Sequence, residues 1–118
     1  MLQTIFIPRS DKEILDEIID LANNEEILLA SSRYGFINGI KYAIKHNANI
    51  HYCADLSLRW ACSKGYFEIV KILLDNGADK NANFNEPIKF AFKNDHKEII
   101  KLLINNGSKI PNYIKYDI

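Results

Sequence analysis

DLSLRWACSKGYFEIVKILLDNGADKNANF, residues 55–84, and NEPIKFAFKNDHKEIIKLLINNGSKIPNYI, residues 85–114, align on each other without a gap. Seven positions are identical: Ala61/Ala91, Glu68/Glu98, Ile69/Ile99, Lys71/Lys101, Leu73/Leu103, Asn76/Asn106 and Gly77/Gly107. Between them Leu58/Ile88, Trp60/Phe90, Val70/Ile100 and Leu74/Ile104 keep their apolar character. A fainter copy lies upstream at 25–54, where Leu28, Gly35, Lys41 and Ala48 fall in register with Leu58, Gly65, Lys71 and Ala78. A 30-residue period repeated three times means that one supersecondary unit recurs along the chain, each copy burying its apolar side against the next.

Within a copy the spacing is helical twice over. Leu58, Ala61 and Cys62 recur at i, i+3, i+4, and Ile69, Val70, Leu73 and Leu74 fill one face of a second helix. Gly65 separates the two as a turn residue, and Gly77 follows the second where a left-handed residue closes a helix. The connection Ala78 to Glu86 is rich in Asn and Asp, which favour tight turns, and Pro87 starts the next helix without needing its missing N–H. Turns are therefore expected near residues 23, 35, 65 and 95.

GYFEIVKILLDNGAD (65–79) and DHKEIIKLLINNGSK (95–109) resemble the second helix and exit turn of ankyrin repeats, and LRWA and PIKFA precede them where that family starts its first helix. The resemblance implies an all-α solenoid of stacked antiparallel helix pairs. The repeat is 30 residues rather than about 33, and the deficit falls in the connections, so shortened hairpin fingers are expected. The first copy is degenerate: Gly39 interrupts its second helix, and Asn47 stands where the exit glycine belongs. The family's Thr and His at the first-helix start are replaced by Leu56 and Arg59, and by Glu86 and Lys89, which removes an inter-repeat hydrogen bond. The chain reads as one domain: a capping helix in 1–24, repeats at 25–54, 55–84 and 85–114, and a tail at 115–118. In the cap, Ser10 to Glu13 form a capping box, Ile14, Leu15, Ile18 and Ile19 face the first repeat, and Asp16, Glu17 and Asp20 face water.

Composition bounds the rest. The chain has 118 residues, 47% hydrophobic and 25% charged, with no net charge, as expected of one ordinary domain. Two cysteines make no disulfide scaffold and point to a reducing compartment. Met1 to Pro8 is too short in apolar residues for a signal peptide or a membrane span. Residues 1–30 carry two basic against seven acidic side chains, net −5, so the remainder sums to +5. No basic stripe is dense enough for a nucleic-acid footprint.

Chemistry is sparse. His46, His51 and Cys53 are too few for a zinc site, which needs about four converging ligands. His96 takes the place of the family's Gly-His pair and reads as structural. Cys62 points to packing beside Ala61, and none of the five glycines forms a phosphate loop. No catalytic, cofactor or metal residue is assigned.

By resemblance the chain is a non-enzymatic module binding a partner protein through the concave side of its stack, and it is expected to be monomeric. The positions so implied are Tyr52, Asp55, Ser63, Lys64, Phe84, Asn85, Lys93 and Asn94, with Tyr52 and Phe84 equally open to packing over the connections. Trp60 and Phe90 are placed at the seam between repeats, as core. The Ile, Asn and Lys usage (19, 13 and 12 residues, against 3 Arg) and the short Asn-rich repeats resemble ankyrin families of giant DNA viruses of amoebae. That implies an effector acting on a host protein in the host cytoplasm; a substrate-recruiting subunit of a ubiquitin ligase is the alternative.

Overall fold

A computed structural model describes residues 10–115, the side chains of Ile18 and Leu21 excepted. The segment Met1 to Pro8, the part of Ile18 in the cap and the tail residues 116–118 lie outside the described residues. Among the described residues seven helices follow in order: α1 (Asp11–Leu21), α2 (Asn24–Tyr34), α3 (Ile37–Lys45), α4 (Tyr52–Lys64), α5 (Phe67–Asp75), α6 (Ala82–Lys93) and α7 (Lys97–Asn105). The turns fall where the repeat places them. α2, α4 and α6 stack as one layer, and α3, α5 and α7 as a second, with α1 against α3 and α2 at its end. The stack measures 57 × 31 × 18 Å, a slab one helix pair thick.

Burial repeats with the sequence. Leu28, Leu58 and Ile88 are fully buried in the first layer, and Ile40, Val70 and Ile100 with Ala43, Leu73 and Leu103 in the second. Because each copy contributes the same small set, the core is a continuous ribbon between the layers rather than a central ball. α1 closes one end: Ile19 and Ala22 pack on the ribbon, and Asn38 Nδ2 donates to Asp11 at 3.1 Å. Ser10 Oγ accepts the Glu13 N–H, capping α1.

Every second helix ends alike. The N–H of Ala48, Ala78 and Ser108 returns to the carbonyl of Ala43, Leu73 and Leu103, closing three equivalent turns. His46, Asn76 and Asn106 each donate a side-chain N–H to the carbonyl four residues back, at 2.8–2.9 Å. Asn47 takes φ 65 where Gly77 and Gly107 take 93 and 97, so asparagine fills the exit-glycine position of the first copy.

Two expectations change. Gly39 does not interrupt α3, which runs unbroken from Ile37 to Lys45. A Cβ there would lie 1.9 Å from Ser31 Oγ and 2.8 Å from the Phe36 ring, so the glycine is what lets α3 lie against α2. The connections are shortened until no strand remains among the described residues. In place of a finger, Cys53–Ala54–Asp55 and Asn83–Phe84–Asn85 each form one left-handed turn, φ 52 to 63, running into a right-handed helix. Pro87 follows the second at the start of the right-handed part, where a proline costs no hydrogen bond.

Candidate functional site

The side of α2, α4 and α6 that does not face the second layer is built from residues at i, i+3, i+4. These are Ala30, Arg33 and Tyr34 on α2; Trp60, Ser63 and Lys64 on α4; and Phe90 and Lys93 on α6 with Asn94, the cap residue that follows it. Tyr34 is 72% exposed. Trp60 and Phe90 are half-buried and lie outside the fully buried core, which corrects their assignment to the seam. The physical reason is size: the seam between stacked helices is filled by Ala61, Cys62 and Ala91, and a ring one residue earlier is turned to the face. The Arg33 guanidinium sits 5.8 Å from the Trp60 ring and 5.6 Å from the Tyr34 ring, within cation–π range.

The eight residues singled out from the sequence fall into two rows. Tyr52, Asp55, Phe84 and Asn85 lie at the left-handed turns, while Ser63, Lys64, Lys93 and Asn94 lie at the far end of α4 and α6, about 15 Å away along ten residues of helix. In the second row Asn94 Nδ2 reaches Ser63 Oγ at 3.4 Å, and Lys64 and Lys93 are exposed. In the first, Phe84 is 85% exposed, so it does not pack over its connection, and Tyr52 is 41% exposed.

Asp55 is different. Its side chain is buried, takes the His51 Nδ1–H at 2.9 Å, and accepts the Asp79 backbone N–H at 2.7 Å. Glu25, one repeat earlier, accepts the Asn49 N–H at 3.0 Å in the same way. An acid at the first-helix start thus holds the next connection in two successive copies, and Asn49 and Asp79 in turn accept from the N–H two residues on. Sequence reasoning missed this. The signal available was Glu25, Asp55 and Asn85 at 30-residue intervals, each 24 residues before Asn49, Asp79 and Lys109.

Arg59 supplies a further tie in place of the family's lost hydrogen bond. Its Nε and Nη2 donate to the Ala54 and Cys53 carbonyls at 2.9 and 2.8 Å, and its Nη1 meets Glu86 at 2.9 Å. One guanidinium therefore satisfies a left-handed turn and pairs with the next repeat; Asn83 donates to the same Glu86 carboxylate. His96 is structural: its Nε2 donates to the Ser63 carbonyl at 2.9 Å, and its ring lies over Gly65, where a Cβ would come within 2.6 Å. Tyr66 repeats the arrangement over Gly35, its hydroxyl 3.4 Å from the Arg33 carbonyl.

A model of ankyrin repeats in three copies matches residues 1–84 and 58–113. The chain belongs to the ankyrin repeat family. No curated protein matches the chain. Ankyrin repeats generally bind protein partners, and domains built from them are typically non-enzymatic interaction modules. Among the described residues the surface carries open grooves. One of about 450 Å³, mostly apolar, runs between α1 and α2 beside Ile14, Ala30, Tyr34 and Phe36. Another of about 470 Å³ lies where Tyr113 and Ile114 come back beside Lys89, Phe90, Phe92 and Lys93 of α6. Among the described residues no three His, Cys, Asp or Glu side chains converge to hold a metal ion, and no helix is long and apolar enough to cross a membrane. Cys53 and Cys62 are free thiols; Cys53 is exposed, and burial pushes the Cys62 thiol far up.

Proposed function

We propose that this ankyrin repeat chain is a non-enzymatic module that binds a partner protein through the free, concave side of α2, α4 and α6. The observation that carries the reading is the row of incompletely buried aromatic rings, Tyr34, Trp60 and Phe90, held on rigid helices in a stack whose seams are already filled by smaller residues. Rigid aromatic side chains lose little entropy on docking and dominate most interface energies. Ser63, Lys64, Lys93 and Asn94 border them, and Tyr52, Phe84 and Asn85 form a second edge at the left-handed turns. Asp55 is outside this set, its carboxylate being spent on His51 and Asp79. The setting we propose is the host cytoplasm, with the chain as a monomeric viral effector; free thiols and the Ile, Asn and Lys usage support it.

Affinity capture from host-cell lysate with the wild-type chain, followed by mass spectrometry, supplies the partner. Trp60→Ala, Phe84→Ala and Tyr52→Ala are expected to weaken its capture more than Lys64→Ala or Lys93→Ala, because exposed lysines act mainly on encounter. A partner that tolerates all five and is lost on reversing the charges of Asp16, Glu17 and Asp20 assigns binding to the cap instead. Ligase subunits in the captured set would favour the recruiting role over the effector.

A further inference from the structure

The charges on the free face are sorted by end. Arg33, Lys64 and Lys93 stand in the last turns of α2, α4 and α6, and none of the three has a carboxylate partner among the described residues. The acids of the same helices, Glu25, Glu26, Asp55 and Glu86, stand toward the opposite ends. Favourable helix-dipole pairing accounts for the sorting. It does not account for aromatic rings set between the cations, or for a guanidinium resting on Trp60 instead of an acid.

We propose that the row Arg33, Tyr34, Trp60, Lys64 and Lys93 receives an extended acidic peptide segment of the partner, its carboxylates recurring every third residue behind an apolar anchor. This rests on the interaction face proposed above and names the chemistry that fills it. Stacked helices lie 8–10 Å apart, so a basic group recurs at about that interval. A polyproline-type segment has three residues per turn and rises about 3.1 Å per residue, which returns a side chain to the same side every ~9 Å. One carboxylate then meets each repeat. The apolar anchor lies in the groove between α1 and α2, beside Tyr34. A nucleic acid fits less well. Its phosphates would spread over a wider track, and the acids at the other edge of the same helices would repel them, whereas a single peptide stays within the basic row.

Trp60 is the chain's only tryptophan, so its emission reads this face directly. The full chain is titrated with the synthetic peptide Leu-Pro-Pro-Glu-Pro-Pro-Glu-Pro-Pro-Glu, with the same peptide carrying Lys for Glu, and with a single-stranded oligodeoxynucleotide of matching length. The acidic peptide is expected to shift Trp60 emission saturably and to weaken with salt. Lys64→Glu and Lys93→Glu should each weaken it about fivefold or more, while Lys41→Glu, exposed on α3, leaves it unchanged. Lys64→Gln and Lys93→Gln, milder at a helix end, should fall between. Equal response to both peptides, silence toward the acidic one, or binding of the oligonucleotide in its place overturns the proposal. The underlying face is tested separately with the captured protein. A partner lost on Trp60→Ala but indifferent to both charge reversals overturns the acidic segment and leaves the face standing. One indifferent to Trp60→Ala as well overturns both.

Discussion

Gly39 carries opposite meanings on its own and in its surroundings. A glycine within a helix costs about 1 kcal/mol relative to alanine, so by propensity Gly39→Ala stabilises α3. The clash with Ser31 Oγ and Phe36 reverses the sign, and a net loss of about 1–3 kcal/mol is expected, as for other overpacked sites. Urea denaturation checks it, and adding Ser31→Gly should recover part of the loss by removing the two Ser31 atoms that face the new methyl while the Phe36 ring stays. The cysteines differ by burial in the same way. A thiol reagent should modify Cys53 in the native chain and reach Cys62 only on unfolding. Cys62 keeps its proton when folded, while an ordinary thiol ionises near pH 9.0. Its contribution to stability is therefore intact below that pH and is lost as pH rises beyond it, because only the unfolded chain then releases the proton. The slope due to this residue should vanish in Cys62→Ala.

Elements are joined by acids that reach from one connection to the next. Asp55→Ala leaves the Asp79 N–H and His51 without their acceptor and is expected to cost about 2–3 kcal/mol, the range for hydrogen bonds to a charged group. Glu25→Ala removes a more exposed version of the bond and should cost about 1 kcal/mol. Asp55→Asn, which keeps an acceptor oxygen, should fall below Asp55→Ala, and thermal or urea melts rank the three. The left-handed turns make a prediction of opposite sign. Ala54 sits at φ 55, ψ 52 with its side chain exposed, a conformation that costs a non-glycine residue about 1–2 kcal/mol. Ala54→Gly should stabilise by about 0.5–1 kcal/mol after the larger chain entropy of glycine is subtracted. A lower melting temperature for this variant would show that the turn is not left-handed.

The molecule as a whole is longer than a ball of its size. Its radius of gyration is 15.9 Å, against about 13–14 Å for a compact chain of this length. Stability in such a stack comes from contacts between neighbouring repeats, and three repeats have few of them. Trp60, half-buried on the free face, contributes less to those contacts than a seam residue. Trp60→Ala is expected to cost about 1–2 kcal/mol, below the 3–5 kcal/mol typical of a fully buried tryptophan, and to keep a single cooperative transition. A loss in the fully buried range, or a broken transition, would return Trp60 to the seam.

Period, helix pairs, turns and core were legible in the sequence because they are local. An apolar stripe at i, i+3, i+4 dictates which face of a helix must be covered, and a 30-residue period dictates that an equivalent helix covers it. Leu58, Ile69, Val70 and Leu73 could be assigned to the core from spacing alone, and each is buried. What spacing cannot supply is distance across the stack. Whether Gly39 breaks a helix or admits a neighbour depends on Ser31, eight residues away on another helix. Whether Asp55 is presented or spent depends on an N–H 24 residues on, and whether Trp60 is core or surface depends on how closely Ala61, Cys62 and Ala91 let two helices approach. The candidate site was half legible for the same reason. Its residue types and register are properties of the chain, but exposure and hydrogen-bond partners arise only when one repeat is laid against the next.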